Sequence, residues 1–549
     1  MPSALERGRP VSWGAGPNVV LPVFEAFQAA RLEFATEVAK LSADMTQGNS
    51  AHGTYEVGGA EKLRAALDGS TTLADNILPL VNDLAPQVSE SALFALGHLG
   101  ALSNSLHEKT TQKTVLEAAI GIVNSSPSVA LVRAAIFQLT VTAKRSLQST
   151  QLAIDCGLLP ALCERLDHAD NTVRIATVWC LAVVADQSID IAQLVVDSGV
   201  LQLLVVCLKD ASIGLKCVSL SAIGSICKHN STLADTVHKE GMIDITLSLL
   251  SNRDRLIRRH ACRVLALACQ HTEAATEWVP RDSRSALIES LRIVGSDYEL
   301  ATTIATLMHV LSKRSSSAAT MLHEIGAVPV LIEYIVKQQG RALPACGAIE
   351  HICTASQDGA AVAFQHGAVR ALVTVCAASE KPHISAVATA ALGAICVQVE
   401  DAASQLEREC AVQAVVHSTL LAVPPLGPKG LTEARKGVMK VIQACRSYDA
   451  LVWIIEALPF PTEESHEGGE PLVTAVLFKR LGTLLAAQGF GQQRLDFVNR
   501  GALRRAQQAK SYRAAEPRDA LKQLNSIFPP QVVAATDLNY EANLLEQLR

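Results

Sequence analysis

The sequence has few aromatic residues and only a modest charge. Only 4% of its 549 residues are Phe, Trp or Tyr while 49% are hydrophobic, so Ala, Leu and Val supply most of the apolar mass. This composition favours closely packed helices over β-sandwiches and barrels, which use more aromatic and β-branched residues. Charged residues make up 18% of the chain and the net charge is −5, so no overall basic excess points to nucleic-acid binding.

No pair among the 14 cysteines has the CxxC spacing of metal and redox motifs. Many lie in apolar helical phrases, so we interpret them as reduced side chains packed as small hydrophobic residues in a reducing compartment. Residues 1–18 lack the apolar centre of a secretory signal, and no apolar run reaches the ~20 residues of a membrane span. We therefore expect a soluble, intracellular protein without a membrane partner.

Catalytic motifs are missing as well. The chain contains no HExxH, no GxSxG, no P-loop and no GxGxxG that follows a strand. A local cap or turn bond accounts for Asp155 and Asp197, which stand before two equivalent glycines. Four histidines in different helical phases fit solvated helix ends better than a metal site, which needs convergent ligands; they are His229, His238, His260 and His271. We expect neither an enzyme nor a cofactor.

What the chain does contain is a phrase with a central glycine that returns about every 42 residues, as in LAIDCGLLPALCERL, LVVDSGVLQLLVVCL and TVHKEGMIDITLSLL. The glycines of this series are Gly157, Gly199, Gly241, Gly326 and Gly367. Three further places in the series carry Thr114, Ser283 and Cys410. Where Ser283 and Cys410 replace the glycine, we expect the corner to be made differently. A period of about 40–47 residues is typical of armadillo and HEAT solenoids.

Each period reads as three helices. A short helix leads to the glycine, a second apolar helix follows it, and after a polar link such as KDAS or SNRD comes a longer amphipathic third helix. Glycine at positive φ lets the first two helices meet at a sharp angle. One unit cannot bury its own apolar face, so neighbours must stack. We predict an all-α, right-handed superhelical armadillo solenoid of about eight to nine repeats.

The predicted organisation has five parts. Residues 1–17 are expected to be disordered, and 18–71 to contain a capping helix, Val19–Ala43, followed by an insertion. Armadillo repeats occupy 72–458, interrupted by the proline-glycine loop 421–432. A loop at 459–471 precedes a C-terminal helical repeat and cap at 472–549.

The third helices test for peptide binding. In nuclear-import adaptors of this class they carry a tryptophan and, four residues on, an asparagine that together hold a basic peptide. The equivalent pairs here, which we call the ladder positions, are Trp179 and Val183, Ser221 and Ser225, Arg263 and Leu267, Thr306 and Val310, Gly347 and His351, and Ala390 and Ala394. With one tryptophan and no asparagine, the groove is not built for basic peptides, and we expect Trp179 to serve packing.

Two local clusters are basic. Arg255, Arg258, Arg259 and Arg263 lie on one third helix, although they cannot all share one face. The segment from Arg494 to Lys522 is also basic, with candidate contacts Arg500, Arg504, Arg505 and Lys510. Positive patches on an acidic chain favour anionic protein surfaces such as tubulin or an acidic helix of another subunit. The alternative, a merely solvated face, stays open for both clusters.

Both ends of the chain resemble a known family. VLPVFEAFQAARLEF near the start, the repeat phrases ICKHNSTLADTVHKEG and DIAQLVVDSG, and the closing segments RLDFVNRGALRRAQQAK, DALKQLNSIFPPQVV and YEANLLEQL are similar to the armadillo-repeat family of the ciliary central pair, sperm-associated antigen six. The likeness covers nearly the whole chain. Residues 44–71 look inserted and two corner glycines are lost, which fits a divergent member or a paralogue.

The resemblance implies a non-enzymatic scaffold of the ciliary or flagellar axoneme, in the C1 microtubule of the central pair, that is needed for central-pair integrity and motility. Its expected partners are tubulin and other axonemal proteins, with self-association through the flat solenoid ends, and neither nucleic acid nor membrane. The expected location is the cytoplasm, cytoskeleton and axoneme. The alternatives are another axonemal armadillo subunit, of a radial spoke or doublet, and a cytosolic armadillo adaptor that binds partner peptides.

Overall fold

A computed structural model describes residues 17–47, 71–102, 104–271, 273–293, 297–378, 381–408, 411–420, 428–461, 470–487 and 489–537. The described residues form α-helices, short 3-10 helices and loops, with no strand among them. The chain divides into two units, Met1–Thr246 and Leu247–Arg549. The expected disorder of 1–17, most of the insertion, Cys410, the centres of both predicted loops and the last helical phrase lie outside the described residues.

The first unit is a stack of helices in which every long helix packs on the next long one. The long helices α1, α3, α6, α9 and α12 make this series, and the shorter helices fill the spaces between them. The helices that begin in this unit are α1 (Pro17–Gln47), α2 (Thr71–Ile77), α3 (Pro86–Leu102), α4 (Asn104–Thr110), α5 (Lys113–Ser125), α6 (Val129–Arg145), α7 (Leu147–Asp155), α8 (Leu158–Arg165), α9 (Asn171–Ala185), α10 (Ile189–Asp197), α11 (Val200–Lys209), α12 (Ile213–Cys227), α13 (Ser231–Lys239) and α14 (Met242–Leu249).

The second unit repeats this arrangement, with α15, α17, α20, α23, α26, α28 and α31 as its successive long helices. We call the long helices from α3 onward the third helices. The helices of the second unit are α15 (Arg255–Cys269), α16 (Arg281–Ile293), α17 (Tyr298–Arg314), α18 (Ser316–Glu324), α19 (Ala327–Lys337), α20 (Leu343–Ala355), α21 (Gln357–Gln365), α22 (Ala368–Ala378), α23 (Pro382–Gln398), α24 (Glu400–Arg408), α25 (Ala411–Leu420), α26 (Pro428–Ala444), α27 (Tyr448–Ala457), α28 (Pro471–Ala486), α29 (Gly491–Asn499), α30 (Ala502–Ala506), α31 (Ala515–Asn525) and α32 (Pro530–Ala535).

The five corner glycines all have positive φ, between 74° and 95°. At three of them the two flanking helices meet at 79°, 85° and 74°, around Gly199, Gly326 and Gly367. A side chain would strain the backbone in this left-handed region, which is why glycine returns at the period. Gly501, at φ 73°, makes a further corner of the same kind between α29 and α30, one that the sequence series did not include.

Caps follow the same period. The side chains of Ser128, Asp170, Ser212, Asp254 and Asp297 each accept a backbone N–H in the first turn of a third helix. These N–H groups have no partner inside the helix, so each cap contributes about 1 kcal/mol. In these five repeats the polar links therefore fix where the third helix begins, whereas α20 and α23 begin with a proline in the first turn and have no side-chain cap.

Two places of the glycine series hold no corner at all. Thr114 lies in the first turn of α5, and Ser283 lies inside α16. Before α16 a 3-10 helix, Ala274–Trp278, turns the chain. The buried Arg284 closes this turn, because its guanidinium donates to the carbonyl oxygens of Thr276 at 2.6 Å and Val279 at 2.8 Å. An arginine thus does here what glycine does in the regular repeats.

The interpretation of the cysteines as packing residues is confirmed for most of those described. All 13 are free thiols and ten are buried. Burial raises the pKa of Cys180, Cys262 and Cys353 to about 12. A neutral thiol in an apolar environment is unreactive, so these side chains act as small hydrophobic residues.

Candidate functional site

The third helices α15 and α17 line a groove in the second unit with a volume of about 780 Å³. Three residues of α15 that share one helix face, Arg259, His260 and Arg263, line one wall. The opposite wall is a row of α17 side chains, Glu299, Thr302, Thr303 and Thr306, and Arg341 of the 3-10 helix Gln339–Arg341 closes one end. The ladder positions Arg263, Leu267 and Thr306 therefore face a common space.

A second cavity of about 470 Å³ adjoins this groove, because Thr302 and Arg341 line both. Lys381, Pro382 and His383 line its far side, at the start of α23. The two cavities together run across α15, α17, α20 and α23. We call this surface the basic groove.

The structure separates the four arginines that were predicted as one cluster. Arg259 and Arg263 line the basic groove, where Arg259 forms an ion pair with Glu299. Arg255 pairs with Asp297 at 3.7 Å and is mostly exposed, whereas Arg258 is half-buried with its Nε enclosed. The sequence expectation that the four could not share a face agrees with this arrangement.

His260 corrects the interpretation of the histidines as helix-end residues. It lies within α15 and lines the groove between two arginines. Burial, followed by Arg259 and Arg263, lowers its pKa below the ordinary value. The imidazole is therefore neutral at pH 7 and adds hydrogen-bonding capacity to the groove without adding charge.

The basic tail is mostly occupied by internal bonds. Arg505 donates to the carbonyl oxygens of Ile455 and Leu458 at the end of α27. Arg500 pairs with Asp449 at 3.2 Å, and Lys510 with Asp537 at 2.5 Å. Arg504 alone of the four predicted contacts is exposed without a bond of this kind among the described residues. Cations at helix C-termini stabilise the fold, so the tail is chiefly structural.

Asp155 and Asp197 also prove to be local. Asp155 accepts a hydrogen bond from Gln151 at 3.0 Å, and Asp197 accepts one from Gln193 at 2.8 Å. Both bonds join residues four apart on one short helix. The expectation of a local structural bond is confirmed.

The first unit has a different third-helix face, which is aromatic. Trp179 is 49% exposed, so about half of its side chain packs and the other half faces solvent. One repeat earlier its place is taken by Phe137, and one repeat before that by Phe94; these two rings lie 5.3 Å apart. The sequence reasoning began its alignment at Trp179 and missed both phenylalanines, although the period of 42–43 residues leads to them.

Two histidines stack where α17 meets α20. The rings of His309 and His351 are 5.4 Å apart, and burial lowers the pKa of both to about 4. The ring of His309 fills the space over Gly347, where a Cβ atom would lie 2.5 Å from it. Among the described residues no group of three or more His, Cys, Asp or Glu could hold a metal ion.

No described helix is by itself long and apolar enough to cross a bilayer. Three bent pairs of helices have the length and composition of a membrane span when they are taken together: α10 with α11, α18 with α19 and α21 with α22.

Comparison with known proteins gives two family matches within the repeats. The Armadillo/beta-catenin-like repeat matches residues 188–228, and the HEAT repeat matches residues 158–188. Among curated proteins, none matches this chain.

Solved structures give broader matches. An engineered protein from the Northeast Structural Genomics Consortium is similar over 74% of this chain and 98% of its own length, with 16% identity and a TM-score of 0.57. A designed armadillo repeat protein in complex with the peptide (KR)4 matches 43% of this chain and 98% of its own, with 20% identity and a TM-score of 0.40. At these identities the first likeness shows the fold alone.

Proposed function

We propose that this protein, which is an all-helical armadillo/HEAT-repeat solenoid, is a non-enzymatic scaffold that holds other proteins on the exposed faces of its third helices. The observation that carries the proposal is the basic groove. It is an open surface lined by cations and hydroxyls from several repeats, and its floor is the packed core of α15 and α17. Such a surface suits recognition of another chain.

The chemistry of the described residues supports binding over catalysis. The groove contains arginines, threonines and a neutral histidine, but no nucleophile paired with a base. The most perturbed thiols are buried and protonated. A catalytic centre requires a reactive group that reaches substrate with its base in hydrogen-bond range.

We further propose that the scaffold works in the cytoplasm on the axonemal cytoskeleton of a cilium or flagellum, in the central-pair C1 microtubule. Support comes from the sequence resemblance at both ends of the chain. Tubulin and neighbouring axonemal proteins are the partners that this setting implies, with self-association as a further contact. No nucleic acid or membrane partner is part of the proposal.

The described parts of the segments that carry the resemblance are integrated into the fold; the last phrase, YEANLLEQL, lies outside the described residues. In α1, Arg31 pairs at 2.5 Å with Asp83, whose side chain is nearly buried, and the helix packs on α3. Near the other end, Phe497 of the FVNRG phrase is fully buried and Gly501 makes a corner. These segments therefore cap the repeats of their own units, and their exposed residues, such as Phe24 and Phe27, are available to partners.

Localisation in a flagellated cell tests the setting. We expect the tagged full chain to remain with demembranated axonemes and to be lost from axonemes that lack the central pair. If the tag is instead retained on radial spokes or doublets, the protein is another axonemal armadillo subunit and not a component of the C1 microtubule. A tag that leaves entirely with the soluble fraction would contradict the axonemal role and favour the cytosolic adaptor.

A further inference from the structure

We infer that the basic groove binds an extended, glutamate-rich segment of a partner protein, with Arg263 and Arg341 paired to its carboxylates. This inference rests on the proposed scaffold function and names the partner chemistry of one surface. It concerns the second unit alone, since all lining residues belong to it.

The charge of the groove is opposite to that of the whole chain. Four cationic side chains line the two adjoining cavities, against a single lining carboxylate, that of Glu299. Arg259 is paired with this carboxylate. Among the described residues neither Arg263 nor Arg341 forms an ion pair, and both are exposed. On a chain with a net charge of −5, this local excess favours an anionic partner. The four cations are Arg259, Arg263, Arg341 and Lys381.

The wall opposite Arg263 offers hydrogen-bond acceptors. The hydroxyl of Thr303 donates to the carbonyl oxygen of Glu299 at 2.8 Å, and that of Thr306 donates to the carbonyl oxygen of Thr302 at 2.8 Å. A hydroxyl has one proton, so each of these oxygens can only accept from a ligand. The α17 wall is therefore suited to receive the backbone N–H groups of an extended chain.

The spacing of neighbouring repeats can be compared with the spacing of side chains along an extended ligand. Neighbouring helices pack ~8–10 Å apart, and two residues of extended chain span ~6.6–7 Å. One repeat therefore corresponds to about two to three residues of an extended ligand. Arg263 lies on α15 and Arg341 directly before α20, so one ligand carboxylate would meet each arginine on either side of the threonine wall of α17. Arginine is the cation best suited to this role, because its planar fork donates two parallel hydrogen bonds to one carboxylate.

The residues at the ladder positions favour an acidic ligand over a basic peptide. Where import adaptors place a tryptophan to stack on basic side chains, this unit has Arg263 and then Thr306. No Phe, Tyr or Trp lines either cavity. Single-stranded nucleic acid, the other common extended polyanion, is held by bases stacked on aromatic rings. The surface therefore favours an acidic peptide over a nucleic acid.

The test uses the purified full chain and a fluorescein-labelled peptide of about twelve residues that alternates glutamate with serine. We expect fluorescence anisotropy to show saturable binding that weakens with salt. The peptide with glutamine in place of glutamate should bind at least about tenfold more weakly. The double variant R263Q/R341Q should lose a similar factor for the glutamate peptide.

The matched control is R370Q/R513Q, which removes the same charge from two exposed arginines outside the groove. It should keep the parent's affinity. A further variant, T306V, keeps every charge and should still weaken binding severalfold. Thermal unfolding by circular dichroism checks that each variant is folded.

Three results would overturn the inference: no binding of the glutamate peptide by the folded parent, equal affinity for the glutamine peptide, or equal losses in the groove and control variants. A single-stranded oligonucleotide that competes better than the peptide would also overturn it. Peptide binding by a protein absent from axonemes would remove the axonemal setting and leave the groove. Retention in axonemes without binding of the peptide would keep the axonemal setting and overturn the inference about the groove.

Discussion

Two pairs of third helices have the same kind of packed core but expose different side chains. One pair is α6 and α9 of the first unit, and the other is α15 and α17 of the second. At the equivalent outward position the first pair carries Phe137 and Trp179, and the second pair carries Arg263 and Thr306. The buried positions of all four helices are filled mainly by Leu, Ile, Val, Ala and Cys; the exceptions are Gln138, Thr140, Thr142, Thr177, Met308 and Ser312. The core is thus held constant by packing, whereas the exposed face is free to differ and specifies the partner.

The two regions also differ in their corners. The first unit turns at Gly157 and Gly199 in left-handed backbone, whereas the chain before α16 turns through a 3-10 helix held by Arg284. A glycine corner depends on a local backbone property. The arginine corner depends on a buried guanidinium, so its loss has a larger effect.

The largest effect is expected from R284M. Methionine fills much of the same space but removes the guanidinium donors from two buried carbonyl oxygens; that of Val279 loses its bond at 2.8 Å, and that of Thr276 keeps only the backbone N–H of Val279 at 3.3 Å. We expect the second unit to lose about 3 kcal/mol of unfolding free energy. Urea unfolding followed by circular dichroism measures this loss. R281A, which removes an exposed ion pair with Glu324, is the control and should change little.

A comparable effect is expected from acidification, chiefly through the stacked histidines of the second unit. The pKa values of His309 and His351 are about 4 in the folded state and near 6.5 when unfolded, so the unfolded chain takes up protons first. Stability is therefore full above pH 6.5 and falls as the pH drops toward 4, by on the order of 2 kcal/mol.

The matched variant for this pH dependence is H309N. The unfolding temperature of H309N should depend less on pH, between pH 7 and 4, than that of the parent. Glu350, whose pKa is raised mainly by burial, acts in the opposite direction and is retained in both proteins. An identical pH dependence in parent and variant would show that the stacked pair does not couple protonation to stability.

In the first unit, the same substitution should act in opposite directions at two glycines. G199A forces alanine into φ 78° and should cost about 1–2 kcal/mol. G121A lies within α5 with open space around its Cβ position and should stabilise by about 0.5–1 kcal/mol. Chemical unfolding of the two variants compares them. An equal loss of stability in both variants would contradict the assignment of Gly199 as a corner glycine.

The smallest effect is expected at Trp179. W179A should leave unfolding within about 0.5 kcal/mol of the parent, because half of the side chain is already exposed. F137A, at the equivalent place one repeat earlier, should cost about 3 kcal/mol, because its ring packs on Phe94 and over Gly97. Equal costs would show that both aromatics serve packing, as the sequence alone suggested for Trp179.

Much of the repeat architecture could be predicted because its determinants are local. The glycine period, the polar links before the third helices and the helical spacing of apolar residues all act within about ten residues of chain. The series failed at Ser283 because the chain turns before α16 through a 3-10 helix closed by Arg284, and no local pattern distinguishes a buried arginine from an exposed one.

The basic groove could be predicted only in part. The arginine-rich helix was identified, but Arg341 lies about eighty residues later and was not connected with it. The tail at 494–522 looked equally basic, yet Arg505 and Arg494 donate to carbonyl oxygens at helix ends. The net charge of a segment does not reveal which cations are already bonded.

The sequence by itself determined the helical repeat, its period, its glycine corners and its capped third helices, because these follow from backbone conformation and apolar spacing along one stretch of chain. Only the tertiary structure decided which cations remain unpaired, which aromatic rings face outward and how the irregular corner closes. The first two outcomes depend on residues brought together from different repeats, which set ion pairing and burial. The corner depends on the burial of Arg284 against carbonyl oxygens five and eight residues earlier, and burial is not a property of the local sequence.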